Sequence, residues 1–245
     1  MHWCLGMSAS GSTWVFNAAM QIARAIAPAV DVTSRFVVSA AELEPTPDIV
    51  KTHDTDDAAA AILRQAASAI LVSIRDPRDC VTSLMLYQRY PLAQALEAVE
   101  RSANACLRVA GDPRTLLLRY EDKFIDDPGT LDGIAASYGG WLAAADRARI
   151  FAETRRQAIE REIAGLAERP ATLRDAASGD LVDPATQWHS HHAHCSGEIG
   201  RWRHMLALAE VAVIEQTMQP CMAAFGYRMA VLPLARPVGA ETLRI

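Results

Sequence analysis

Along the chain, short uninterrupted apolar runs alternate with longer stretches in which apolar residues return every three or four positions. Residues 3–6 form the first run. After a stretch of small residues, 14–26 carries helical spacing until Pro28 ends it. The region 36–40 predicts a short second strand, 48–53 a strand ending in polar groups, and 56–67 a helix. Residues 69–74 are almost continuously apolar, as a strand buried on both faces of a parallel sheet must be. Asp76-Pro77 starts the next helix, with proline in the first turn, where its missing N–H has no intrahelical partner to lose. A further helix is predicted over 92–110, a strand over 115–118, and a helix that opens at Asp127-Pro128 and closes at Gly139-Gly140. The Arg- and Glu-laced stretch 143–168 predicts one long helix with a solvated face. Residues 169–197, rich in Pro, Asp, Ser and His without any period, predict a long loop. The stretch 198–225 predicts a helix bent or interrupted at Pro220, and 229–245 a peripheral tail. Strands alternating with helices, without internal repeat, predict a single α/β domain over 1–245, a central parallel sheet flanked by helices.

Composition narrows the partners. The chain has 245 residues, 51% hydrophobic and 22% charged, with 24 Lys+Arg against 29 Asp+Glu and a net charge of −5. That is a folded globular composition with ample length for a core. A mildly acidic chain is poorly suited to nucleic acid, which needs a basic surface to displace counterions. An anionic ligand must then be held by a local site. Only Lys51 and Lys123 among the 24 basic residues are lysines. In so arginine-heavy a chain a lysine marks a place for a compact ammonium; Lys123, among acidic neighbours, reads as surface. The cysteines Cys4, Cys80, Cys106, Cys195 and Cys221 are odd in number and show no C-x-x-C pair, which suits reduced thiols and a cytoplasmic protein. No apolar stretch approaches the roughly 20 residues of a membrane span, so no membrane partner is expected.

The chemistry concentrates at predicted strand ends. Gly6-Met7-Ser8-Ala9-Ser10-Gly11-Ser12-Thr13 lies between a strand and a helix, where backbone N–H groups and the positive end of a helix dipole meet an anion. The hydroxyls of Ser10, Ser12 and Thr13 can add donors. The loop follows G-x-x-x-x-G-K-[ST] except that Ser12 replaces the lysine, which argues against an ATPase or GTPase. Three more polar elements end predicted strands: Lys51-Thr52-His53, Arg75-Asp76-Pro77-Arg78-Asp79 with Ser83, and Tyr120-Glu121-Asp122. Open α/β sheets bind ligands at that edge. Each element alone reads as easily as a solvated turn.

Taken in this order, the set resembles the sulfotransferase family that uses 3′-phosphoadenosine 5′-phosphosulfate (PAPS). The family's K-S-G-T-T-W is matched by Ala9-Ser10-Gly11-Ser12-Thr13-Trp14, and its K-T-H by Lys51-Thr52-His53. Its R-[ND]-P-R-D with a serine eight residues after the arginine is matched by Arg75 to Asp79 and Ser83, and its Y-E-D by Tyr120-Glu121-Asp122. Its C-terminal R-K-G-x-x-G-D-W-K stands against Cys195-Ser196-Gly197-Glu198-Ile199-Gly200-Arg201-Trp202-Arg203. The likeness spans residue 3 to about 228. It implies a fold related to P-loop nucleotide kinases and sulfuryl transfer from PAPS to a hydroxyl of a small molecule or glycan, releasing 3′-phosphoadenosine 5′-phosphate (PAP), with no metal. It further implies that Ser10, Gly11, Ser12 and Thr13 cradle the phosphosulfate and that Trp14 and Tyr120 lie by the adenine. Arg75 and Ser83 would grip the 3′-phosphate, with Ser196 and Gly197 also at the cofactor. His53 would take the acceptor's proton, and Lys51 would stabilise the leaving phosphate.

Two departures stand out. The family's loop lysine is Ala9, and its C-terminal Arg-Lys pair is Cys195-Ser196. Replacement cations are expected from Lys51, from Arg201 and Arg203, or from the upstream histidines. The cluster His189, His191, His192, His194 and Cys195 matches no standard zinc spacing and reads as a surface loop or a substrate-side loop. Met85, Tyr87 and Tyr90, at helical spacing, read as core or cleft wall. Two other classes remain open from the residues: a nucleotide or small-molecule kinase, opposed by Ser12, and a non-catalytic nucleotide-binding protein, opposed by the retention of Lys51 and His53.

Overall fold

The computed structural model describes residues 1–175, 179–194 and 196–230. Five parallel strands form the central sheet in the order β2-β3-β1-β4-β5. They are β1 (His2–Gly6), β2 (Ser34–Phe36), β3 (Ile49–Thr52), β4 (Ala69–Ile74) and β5 (Thr115–Arg119). The helices are α1 (Ser12–Ile26), α2 (Asp57–Ala66), α3 (Pro77–Tyr87), α4 (Leu92–Val109), α5 (Gly129–Ser137), α6 (Ala144–Glu153), α7 (Arg156–Ala164), α8 (Trp202–Met205) and α9 (Leu208–Phe225). This is the single α/β domain with a parallel sheet that the alternation of periods predicts.

Side-chain alternation sorts the sheet into two cores. Trp3 and Leu5 of β1 and Ile70, Val72 and Ile74 of β4 pack on one face with residues of α4 and α9. Cys4 and Leu71 turn to the other face, where α1 and α5 supply Phe16, Ile22, Leu131 and Ile134. All six residues of β4 are buried, which is why that strand is apolar throughout except at Ser73. Burying each large aliphatic side chain is worth about 1.5–3 kcal/mol. Because every strand runs the same way, their C-terminal ends share one edge of the sheet.

Several elements differ from the sequence expectation. The second strand lies at Ser34–Phe36 rather than 36–40. The helix expected over 143–168 is two helices, because Arg155 is extended (φ −68, ψ 150) and the Thr154 carbonyl leaves the helical ladder to accept the Trp14 indole N–H at 2.9 Å. The stretch 198–225 becomes α8 and α9, split at Leu206 and Ala207, and Pro220 sits inside α9 without ending it. The expected loop 169–197 contains a small hairpin of β6 (Leu173–Arg174) and β7 (Leu181–Val182) and a 3-10 turn, Ser190–His194. The tail from 231 onward and Cys195 lie outside the described residues. Among the described residues, no helix is long and apolar enough to cross a membrane, and Cys4, Cys80, Cys106 and Cys221 are buried free thiols.

Candidate functional site

The strand ends open into a cavity of about 680 Å³, lined in part by Gly11, Ser12, Thr13, Lys51, His53 and Arg75. Its floor is the turn between β1 and α1. Gly6 is required there, since a Cβ would run into the Ser73 hydroxyl and approach Ser12 Cβ to 2.5 Å. Gly11 caps α1 in the left-handed region (φ 84), where a side chain is strained, and no side chain caps the helix. The first amides of α1 therefore have no intrahelical carbonyl and no capping group. They present roughly half a positive charge to whatever enters. Ser12 and Thr13 line this space, but Ser10 does not. Its hydroxyl is fully buried, 2.7 Å from the Met7 carbonyl and 2.8 Å from the Ser73 hydroxyl, so it closes the turn from beneath instead of facing a ligand.

Lys51 ends β3 with only 2% exposure, and its Nζ donates to Thr13 Oγ1 at 2.8 Å. Burial without a carboxylate partner pushes its ammonium down to about 7. His53, two residues on, has Nδ1 at 2.7 Å from the Gly6 carbonyl, so Nδ1 carries the proton and Nε2 keeps its lone pair. Burial, then the Lys51 charge, hold its imidazolium down to about 3.

Arg75, at the end of β4, is 5% exposed and lies 4.4 Å over the Tyr120 ring. It donates to the Ala9 carbonyl (3.1 Å), to Ser83 Oγ (3.4 Å) and to the Glu198 carbonyl (2.7 Å), while its Nε is buried with no partner. The rest of the Arg75–Asp79 motif is structural. Asp76 caps α3 and pairs with Arg78, which also reaches Glu215 and lies 3.9 Å over the Trp202 ring. Asp79 accepts the amides of Gly200 and Trp202. Glu121 accepts the Asp76 amide at 2.8 Å. One strand end thus aims a single guanidinium at the cavity and uses its neighbours to anchor the segment above.

That segment forms the opposite wall. Arg201 is 8% exposed and donates to the Tyr87 hydroxyl (2.6 Å), to Ser196 Oγ and to Glu198 (3.1 Å). Tyr87 lies one helical turn beyond Ser83. Arg156 donates to the Ser196 carbonyl at 2.9 Å. Gly197 is at φ 68, where a side chain is strained, and a Cβ there would also meet the Tyr120 hydroxyl at 2.7 Å. Trp188, His189, His191 and His192 line the same space.

No protein-family model matches the chain, and no curated protein matches it by sequence. Solved structures do. Mouse sulfotransferase SULT7A1 complexed with PAP superimposes with a TM-score of 0.62 at 15% identity, covering 90% of this chain and 84% of that one. The chain has the fold of the PAPS-dependent sulfotransferases. Retinol dehydratase in complex with androsterone and inactive cofactor PAP matches with a TM-score of 0.60 at 16% identity over 96% of this chain and 82% of that one. Retinol dehydratase in a complex with retinol and PAP matches at 0.58 and 14% identity, over 90% and 80%.

Within the sulfotransferase fold, the residues expected from sequence assemble at one site with the exception of Ser10. Trp14 is only 2% exposed and touches the cavity from its edge, fixed by its bond to Thr154 and by Phe124 at 5.6 Å. Of the histidine cluster, His189, His191 and His192 line the cavity and do not stand on a plain surface loop, while Cys195 lies outside the described residues. Of the expected replacement cations, Arg201 is in the site and Arg203 is outside it, exposed and 4.8 Å over Trp202. Lys123 is exposed as expected, yet stands at the rim of the cavity. Arg156, inside a helix with a solvated face, was invisible to sequence reasoning; no local signal separates it from Arg149 or Arg161.

Proposed function

We propose that the chain transfers the sulfuryl group of PAPS to a hydroxyl of a small-molecule or glycan acceptor and releases PAP. The observation that carries this reading is the convergence of uncapped α1 amides, Lys51, His53 and the Arg75–Ser83 pair on one cavity. The cofactor supplies an activated sulfur with a phosphate leaving group. The chain supplies position and charge, which account for most of the acceleration in such displacements. The amides at Gly11, Ser12 and Thr13 bind the 5′-phosphosulfate, and Lys51 meets the oxygen on which charge develops. Arg75 holds the 3′-phosphate, for which its partnerless buried Nε and fork geometry are suited. Tyr120, Trp14, Ser196 and Gly197 border the nucleotide. His53 Nε2 takes the hydroxyl proton, its tautomer set by Gly6. With Ala9 in place of the loop lysine, the charge at the phosphosulfate falls to Lys51, and Arg201 and Arg156 stand in for the missing Arg-Lys pair.

The decisive experiment is titration calorimetry with PAP, AMP and ATP. PAP is expected to bind at least tenfold more tightly than AMP, since one charge-assisted hydrogen bond is worth about 1.5–3 kcal/mol. Equal affinities for PAP and AMP would end the reading. A tighter, magnesium-dependent ATP complex would replace it with a kinase.

A further inference from the structure

Two of the imidazoles that line the cavity differ in character. His53 has a neutral carbonyl behind it and Lys51 beside it. His189 has a carboxylate. Its Nδ1 lies 2.8 Å from Asp180 Oδ2, which also accepts from His191 Nδ1 at 2.6 Å. Asp180 is itself held in place, since its Oδ1 accepts the Ser190 hydroxyl and the His191 amide. The carboxylate puts the proton of His189 on Nδ1 and leaves the lone pair on Nε2, and the ring lines the same cavity as His53. Both rings line one cavity; burial holds the His189 imidazolium below its ordinary value while the Asp180 carboxylate opposes that shift, whereas His53 has no such counter-charge.

A proton left on His53 sits beside an ammonium with only a peptide dipole to stabilise it. A proton on His189 completes an ion pair with a fixed carboxylate, the arrangement that steadies an imidazolium formed during catalysis. We propose that Asp180 and His189 form a second acid–base pair of this site, and that the acceptor's proton, taken by Nε2 of His53, finishes on Nε2 of His189 through water in the cavity both rings line. As the acceptor oxygen bonds to sulfur, the sulfur–oxygen bond to the 5′-phosphate breaks and its electron pair stays on the phosphate. The hydroxyl proton passes to His53, and water carries a proton from there to Nε2 of His189, whose Nδ1–H stays on Asp180. Solvent removes it after product leaves. This rests on the sulfuryl-transfer reading above.

The test has one arm without turnover and one with it. In the free protein, long-range proton–nitrogen spectra of the histidine rings should show His189 as the Nδ1–H tautomer, titrating above His53. Asp180→Asn keeps the shape of the side chain but removes its charge, and should move the His189 midpoint down. Among the described residues, the other titratable or charged groups that meet this ring or act on it are His191, His192, His53 and Lys51, with Arg156 and Glu160 of α7 lining the same cavity, and all are unchanged in that variant.

In turnover, transfer from PAPS to benzyl alcohol is compared with transfer to 4-nitrophenol, an acidic phenol that arrives largely ionised and brings no proton. His189→Gln should slow the alcohol reaction by about 10²-fold, the low end for a positioned base. It should change the phenol reaction less than about threefold and leave PAP affinity unaltered. Asp180→Asn should shift the acid limb of the alcohol profile to lower pH.

Equal losses on both acceptors would reduce His189 to a structural role and overturn the proposal, as would a wild-type rate. Loss of activity on chelation, restored by zinc, would overturn it in favour of a metal held by Asp180, His189 and His191. A wild-type protein that fails to prefer PAP over AMP refutes the transfer reading itself, which these variants do not touch.

Discussion

Lys51, His53 and Arg75 stand at the ends of two strands, β3 and β4, that flank β1. Arg156, His189 and Arg201 come from a stretch that crosses above them between Thr154 and Trp202. The first group is set by the sheet: parallel strands in register deliver their last residues to one edge, and the positions follow from the backbone. The second group is set by side chains holding side chains. Asp180 fixes two histidines, Tyr87 and Glu198 fix Arg201, and Asp79 fixes the amides of Gly200 and Trp202. A wall built on a sheet tolerates substitution of one side chain without moving its neighbours. A wall built on a polar network does not, because each lost partner leaves another group unsatisfied.

The largest expected contrast separates chemistry from binding on the sheet side. His53→Ala should reduce sulfuryl transfer to an alcohol by about 10²–10⁴-fold, with PAP affinity from calorimetry and the melting temperature both near wild type. A parallel collapse of affinity would mean that the sheet wall is as interdependent as the cover.

Next in size is Arg75→Ala, which should weaken PAP by roughly 10–100-fold, the equivalent of one or two charge-assisted bonds, while AMP changes little. Equal weakening of both nucleotides would show that Arg75 acts through the cover, since it also holds the Glu198 carbonyl.

Arg201→Ala should weaken PAP by a smaller factor, about 3–10-fold, because part of its charge is already spent on Glu198. It should also raise the rate of proteolysis between 179 and 200, an effect Arg75→Ala lacks.

The smallest signal is a proton. Burial lowers the Lys51 ammonium from its ordinary 10.5 to about 7, so above pH 7 the folded protein binds fewer protons there than the unfolded chain does. This contribution to stability therefore becomes more favourable as pH rises from about 7 to 10.5. An anion beside Nζ reverses the shift. PAP binding at pH 8 should take up close to one proton, read from calorimetric enthalpies in buffers of different ionisation heat. Lys51→Met should abolish the uptake, and uptake that persists would place the 5′-phosphate of PAP away from Lys51.

The sheet wall was legible because its residues follow local rules. A short, β-branched, almost continuously apolar run such as 69–74, closed by a polar turn, reads as a buried strand, a small-residue turn after a strand exposes amides, and a polar residue just past a strand lies at the binding edge. Ser10 escaped those rules, since nothing local says which hydroxyl of Ser10, Ser12 and Thr13 turns inward. That is decided by Ser73, 63 residues away. The cover was illegible for the same reason throughout. Asp180 and His191 meet across a turn with no period, and the kink at Thr154 depends on Trp14, 140 residues earlier. Arg201 was singled out only as a possible substitute, and its placement in the cavity wall comes from the Tyr87 hydroxyl.

The first turn of α1 is fastened to the cover at two points. Trp14 donates to the Thr154 carbonyl, and Asn17 bridges the carbonyls of Thr13 and Thr186, the latter two residues before Trp188. The cavity wall around Trp188 and the first amides of α1 are thus parts of one mechanical linkage. Under the proposed sulfuryl transfer, an acceptor bulky enough to push Trp188 outward would pull on Thr186, and through Asn17 tilt the amides proposed to hold the cofactor. Acceptor size would then be read in the rate of transfer and not only in the strength of binding.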